Sequence, residues 1–79
     1  MSMLEIVCTT DTIIEEIALD IPRKSVALTY AMLMRSQGRG GDRPDWPRIN
    51  KAIIEKWGLV GLEAVKKRAW RLIEGKELA

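Results

Sequence analysis

Histidine is absent from this chain of 79 residues, and cysteine occurs once, at Cys8. Without histidine there is no serine–histidine or cysteine–histidine nucleophile pair and no histidine general base, and a lone thiol adds no usual zinc site. An enzyme is therefore the least favoured class, and no catalytic residue, metal ligand or cofactor is assigned. A single cysteine cannot close an intrachain disulfide and suits a reducing compartment. Cys8 reads as a small buried hydrophobe of Leu4–Cys8 rather than as a catalytic thiol.

Also missing is the run of ~20 apolar residues that a membrane span requires. Met1–Thr10 carries Glu5 but no lysine or arginine, so it lacks the basic start of a secretion signal. The expected location is cytoplasmic, with no membrane partner. Strand signals are nearly absent as well. Met3–Thr9, with Leu4, Ile6, Val7 and Thr9, is short and partly β-branched, but no second such segment exists to pair with it. Residues 1–10 are read as an extended arm, or as a strand completed by another subunit.

What is present is the composition of one globular domain, 47% hydrophobic and 30% charged. A chain of this length buries only ~60–65% of its unfolded surface, so its core is thin. The net charge of +2 hides a division. Residues 1–34 hold two bases against five acids (−3), and residues 35–79 hold eleven bases against six acids (+5). A basic second half can present a patch to phosphates, although solvated helix faces also produce such patterns.

The periodicity predicts an all-α fold, a small bundle of about four helices in a single domain, 1–79. Thr12-Ile13-Ile14-Glu15 fits a capping box, so the first helix is placed from Asp11 or Thr12, with Ile13, Ile14, Ile17 and Ile21 on one face. Pro22 ends or bends it, and Asp20 is a candidate cap for the next helix. The second helix, roughly Arg23 to Ser36, is apolar on all sides: Val26, Leu28, Tyr30, Met32, Leu33 and Met34 surround its axis. Such a helix is normally buried. It is either the central helix of the bundle or partly a subunit interface, and those six residues are the candidate interface.

Residues 37–44 form a linker rich in glycine and charge. Its Gly38-Arg39-Gly40-Gly41 lacks the lysine and the serine or threonine of a phosphate-binding P-loop. Arg35, Arg39 and Arg43 offer instead a short basic arm for a polyanion. Asp45 then caps a helix with Pro47 in its first turn, and Ile49, Ile53 and Trp57 line its inner face up to Gly58. A last helix begins near Val60 or Gly61, carries the stripe Leu62, Val65, Ala69, Leu72 and Ile73, and stops at Gly75. Lys67, Arg68 and Arg71 lie opposite that stripe.

Two helices joined by a short glycine turn make a C-terminal helix-turn-helix-like hairpin, the outline of a motif whose second helix enters the DNA major groove. Here the second helix opens with Val60-Gly61-Leu62-Glu63-Ala64, and its bases come later. Early base-reading residues are lacking, so contact would be to phosphate with low sequence specificity. The candidate nucleic-acid residues are Arg39, Arg43, Lys66, Lys67, Arg68 and Arg71. The plainer interpretation is a helical hairpin with a solvated basic face, Trp57 and Trp70 as core anchors, and Trp46 packed at the start of the third helix.

The expected function is that of a non-enzymatic accessory or regulatory protein binding DNA through phosphate contacts. The alternative is a protein-interaction module, a regulator or inhibitor acting through the apolar second helix. The expected partners are nucleic acid or another protein, with a homodimer and without a small-molecule substrate.

Overall fold

The computed structural model describes residues 9–36 and 43–75. The proposed arm or strand up to Cys8, the loop with Arg39, and residues 76–79 lie outside that range. Among the described residues there are three helices, α1 (Thr10–Ala18), α2 (Arg23–Ser36) and α3 (Trp46–Glu74), and no strand. The all-α expectation holds, but the count of four does not. The two helices expected on either side of Gly58 follow one another without a loop, across a kink at that single non-helical residue, and are numbered together as α3.

The first helix starts earlier than the Thr12–Glu15 pattern implies. Thr9 is its N-cap, in extended conformation, and Thr12 is the third helical residue. The Thr12 amide donates to Thr9 Oγ1 (3.2 Å) and the Thr9 amide donates to Thr12 Oγ1 (3.0 Å), a reciprocal capping box made by two threonines. Asp11 in the first turn complements the positive end of the helix dipole.

Asp20 does not cap α2. It follows the C-cap Leu19 with φ of 62°, the left-handed region that asparagine and aspartate tolerate better than most non-glycine residues. The Ile21 amide donates to Glu16 O (3.1 Å) and the Asp20 amide to Ile17 O (3.2 Å), closing a Schellman motif before Pro22. α1 carries no base of its own in its last turn. Lys56 of α3 supplies one: its Nζ donates to Ile17 O (3.1 Å) and pairs with the Asp20 carboxylate. A cation placed at a helix C-terminus is favourable, and here it also ties α1 to α3.

α3 begins as its sequence predicts. Asp45 is the N-cap, with Oδ1 accepting from the Arg48 amide (3.3 Å), and Pro47 lies in the first turn. The Asp45 amide donates to Thr10 Oγ1 (2.9 Å), joining the starts of α1 and α3. Gly75 ends α3 in the left-handed conformation.

The core is built where the three apolar faces meet. Ile13 and Ile17 of α1, Val26, Ala27, Tyr30, Ala31 and Leu33 of α2, and Ile49, Ile53, Leu62, Val65 and Ala69 of α3 are all buried. Each fully buried isoleucine, leucine or valine stabilises the fold by about 1.5–3 kcal/mol through removal from water. Tyr30 adds a polar tie, its hydroxyl donating to Asn50 Oδ1 (2.9 Å), and its ring lies 4.8 Å from that of Trp46 at 46°. Thr29 of α2 is buried and polar, and its hydroxyl donates back to Ser25 O (3.3 Å).

The apolar girth of α2 is largely used inside the chain. Of the six residues proposed as an interface, Val26, Tyr30 and Leu33 are in the core and Met34 is half-buried. Only Leu28 (51% exposed) and Met32 (39%) face outward, one turn apart. Trp70 departs from its expected role as a core anchor: it is 52% exposed, whereas Trp46 and Trp57 pack against the core.

The bend at Gly58 sets the direction of the rest of α3. Its φ of 78° and ψ of 178° belong to a region that only glycine occupies at low cost. The bend draws Trp57 over Gly61, so that a Cβ at position 61 would stand 2.2 Å from Trp57 Cβ. Gly58 makes the turn, and Gly61 makes room for it.

Candidate anion-binding groove

The bend lays the C-terminal arm of α3 along the start of α2, and a groove of about 300 Å³ opens between them. Ala27, Ala64 and Val65 supply its small apolar lining, and the alanines leave the space that longer side chains would fill. Every other lining residue is a cation: Arg23 and Lys24 from α2, Lys67, Arg68 and Arg71 from α3. On α3 the residues Ala64, Arg68 and Arg71 follow at spacings of four and three, so they share one face. On α2, Arg23 and Ala27 are likewise one turn apart. No described acidic residue lines the groove.

The placement of Arg23 follows from the bend. Its guanidinium lies over the Trp57 ring, 5.9 Å from the centroid, within the range of a cation–π contact. The same head group is 3.7 Å from where a Gly61 Cβ would stand. Arg68 and Arg71 also engage other groups of the protein.

Folding alone does not account for the charges of α2. Arg23 and Lys24 are its first two residues, and its first turn holds no acid. A cation at the positive end of a helix dipole loses the roughly 0.3–1 kcal/mol that an anion gains there. Arg23, Lys24 and Lys67, gathered on one concavity, also repel one another. An anion seated among them relieves both costs, and its several oxygens suit the planar donor fork of arginine.

The structure gathers only part of the basic set that the sequence suggests. Lys67, Arg68 and Arg71 line the groove. Lys66 is on the same arm but does not line it, and Arg43, exposed beside the α3 N-cap, is not part of it either. Arg39 lies outside the described residues. Arg23 and Lys24 do not belong to the set read from sequence, and the signal that could have found them is a pair of bases at the wrong end of a predicted helix.

Among the described residues no group of three or more aspartate, glutamate, cysteine or histidine side chains is placed to hold a metal ion, and no helix is long and apolar enough to cross a membrane. Comparison with family models, with curated proteins and with solved structures finds no significant match to this chain.

Proposed function

We propose that this protein is a small, non-enzymatic accessory or regulatory protein that binds DNA through phosphate contacts. The observation that supports this is the groove between α2 and α3, lined by five cations and by no described acid. Phosphate-directed binding also agrees with the chemistry of the C-terminal arm. Its first turn carries Leu59, Val60 and Gly61 rather than side chains that read base edges, so sequence discrimination should be weak. A helix-turn-helix is not needed for this reading, since α3 bends without a separate turn.

The test is titration of labelled DNA with the full chain at 50 and 200 mM salt. If about three phosphates are neutralised, by Arg23, Lys24 and Lys67, affinity falls roughly fortyfold between the two conditions. No binding at the lower salt, or binding indifferent to salt, would sink the proposal. The protein-interaction alternative rests on the apolar second helix and the tryptophans, of which Leu28, Met32 and Trp70 are exposed. Most of the apolar surface of α2 is already covered within the chain, so it stands second.

A further inference from the structure

The bend at Gly58 lies at one end of the molecule, where the other two helices also meet α3. The C-terminus of α1 is tied there by Lys56, which donates to Ile17 O and pairs with Asp20, and the start of α2 by Arg23, whose guanidinium lies over the Trp57 ring. Apolar side chains are exposed at this end: Leu59 at 66% and Val60 at 79% just after the bend, and Leu19 at the C-cap of α1. None of the three belongs to the core. In a helix each Cα–Cβ bond tilts toward the N-terminus, so Leu59 and Val60, the first residues of the arm, lean out past the bend rather than back over the bundle. They form a protruding aliphatic tip.

This tip adjoins the cations of the groove. Val60, Ala64, Lys67 and Arg71 follow at spacings of four, three and four, so Val60 continues the face of the arm that lines the groove, with Lys67 about 10 Å further along. The next residue, Gly61, has the Arg23 head group 3.7 Å from where its Cβ would stand. Two or three aliphatic side chains are too few for a protein partner, whose contact covers ~800 Å² on each side. They match one base step. Proteins that grip a duplex from the minor groove insert leucine-like side chains between neighbouring bases, which unstacks the step and bends the DNA by about 20–90°. Burial of the aliphatic groups offsets part of the unstacking, and cations beside them hold the phosphates next to the kink.

Building on the DNA-binding reading above, we propose that Leu59 and Val60 act as a wedge that enters one base step of a duplex from the minor groove, while Arg23, Lys24 and Lys67 hold the adjacent phosphates. The protein then bends the DNA it binds.

The experiment uses the full chain and a duplex of about 30 base pairs that carries a donor dye on one end, an acceptor on the other and a TA step at its centre, a step that kinks easily. Energy transfer between the ends is expected to rise on binding, and to rise less for a stiff A-tract duplex of the same length. Leu59→Ala/Val60→Ala loses the rise but still binds with an affinity that falls with salt. Lys24→Ala/Lys67→Ala weakens binding and reduces the salt slope by about 0.9 for each phosphate no longer neutralised, yet the complexes formed at saturation remain bent. All four positions are exposed, and circular dichroism checks that each variant keeps its helices. An unbent duplex at saturation, or a bend that the aliphatic variant retains, overturns the wedge; salt-dependent binding in that case leaves the phosphate reading standing. Self-association of the free chain that the aliphatic variant abolishes makes a second copy the occupant of the tip and also overturns the wedge. If no DNA binds at low salt, both readings fall.

Discussion

Replacing Gly61 by alanine is the most direct probe of the bend in α3. In a regular helix interior this change stabilises by about 1 kcal/mol, because alanine has the best helix propensity and glycine among the worst. Side chains four apart then have Cβ atoms about 5–6 Å from each other. In this protein the added methyl would meet Trp57 Cβ at 2.2 Å and Trp57 Cγ at 3.3 Å. The nearer atom belongs to the root of the side chain, so no rotamer of Trp57 relieves the clash and the backbone must give way. Overpacking of this kind costs about 1–3 kcal/mol. With the approach so short, the upper part of that range should outweigh the propensity gain and leave a net loss of about 1–2 kcal/mol. For a domain of this size that lowers Tm by roughly 4–16 °C. Urea melts followed by far-ultraviolet circular dichroism measure it, with Ala64→Gly, at an exposed helical position, as a reference for propensity alone. Unchanged or increased stability of Gly61→Ala would show that the bend is not as described. A double-mutant cycle sharpens the test. Gly58→Ala disfavours the φ of 78° that creates the close approach, so the two substitutions should couple by about 1 kcal/mol or more, and strict additivity would mean that the two glycines serve unrelated purposes.

Lys56→Met should cost about 1–2 kcal/mol in denaturant melts, since it removes both the donor to Ile17 O and the partner of Asp20. Asp20→Asn should cost less, because asparagine keeps the left-handed conformation and only an exposed charge pair is removed. A loss for Asp20→Asn equal to that for Lys56→Met would refute the role of the Ile17 hydrogen bond. Burial raises the pKa of the Tyr30 phenol above its ordinary value of about 10, and Glu63 adds to the rise. The folded protein thus holds the phenol proton more firmly than the unfolded chain does. The stability this confers is complete below pH ~10 and is lost as pH rises through the folded pKa. Absorbance titration at the phenolate band should place ionisation of the folded protein above that of the urea-unfolded chain, and Tyr30→Phe should remove the corresponding part of the alkaline stability loss. Ionisation at or below the unfolded value would contradict the burial argument.

Residues with one physical role were legible from sequence. Asp45 with Pro47 permits little other than a helix start, Gly75 a helix stop, and Ile49, Ile53, Leu62, Val65 and Ala69 a buried stripe. Ambiguity arises where one pattern serves two structures. Thr9 and Thr12 are both good caps, and the glutamate three residues after Thr12 points to the wrong one. A glycine in a helical pattern reads alike whether the helix stops or bends, and only the fate of the next turn decides between them. A helix apolar on all sides is a fair sign of burial, but periodicity does not say how much of it the chain itself covers. For the groove, Lys67, Arg68 and Arg71 follow from spacing on one helix. Arg23 and Lys24 reach them only through the tertiary fold, from a segment whose net charge is negative. Trp70 sits at the margin of its stripe, and hydrophobicity alone favours the inside.

Gly58 has one more consequence, which concerns how the binding surface can be retuned. The run from Gly58 to Arg71 is about 20 Å long at 1.5 Å per residue. A rotation of only about 5° at its near end therefore carries its far end through roughly 2 Å, several times the width of the 2.7–3.2 Å window within which a hydrogen bond is made. The arm acts as a lever, with its fulcrum at a residue that has no side chain and its load a row of bases. Packing of Val65 and Ala69 holds the lever in place. Substitutions among those packing residues, which carry no charge themselves, should alter the spacing of the cations across the groove more than the exchange of one base for another.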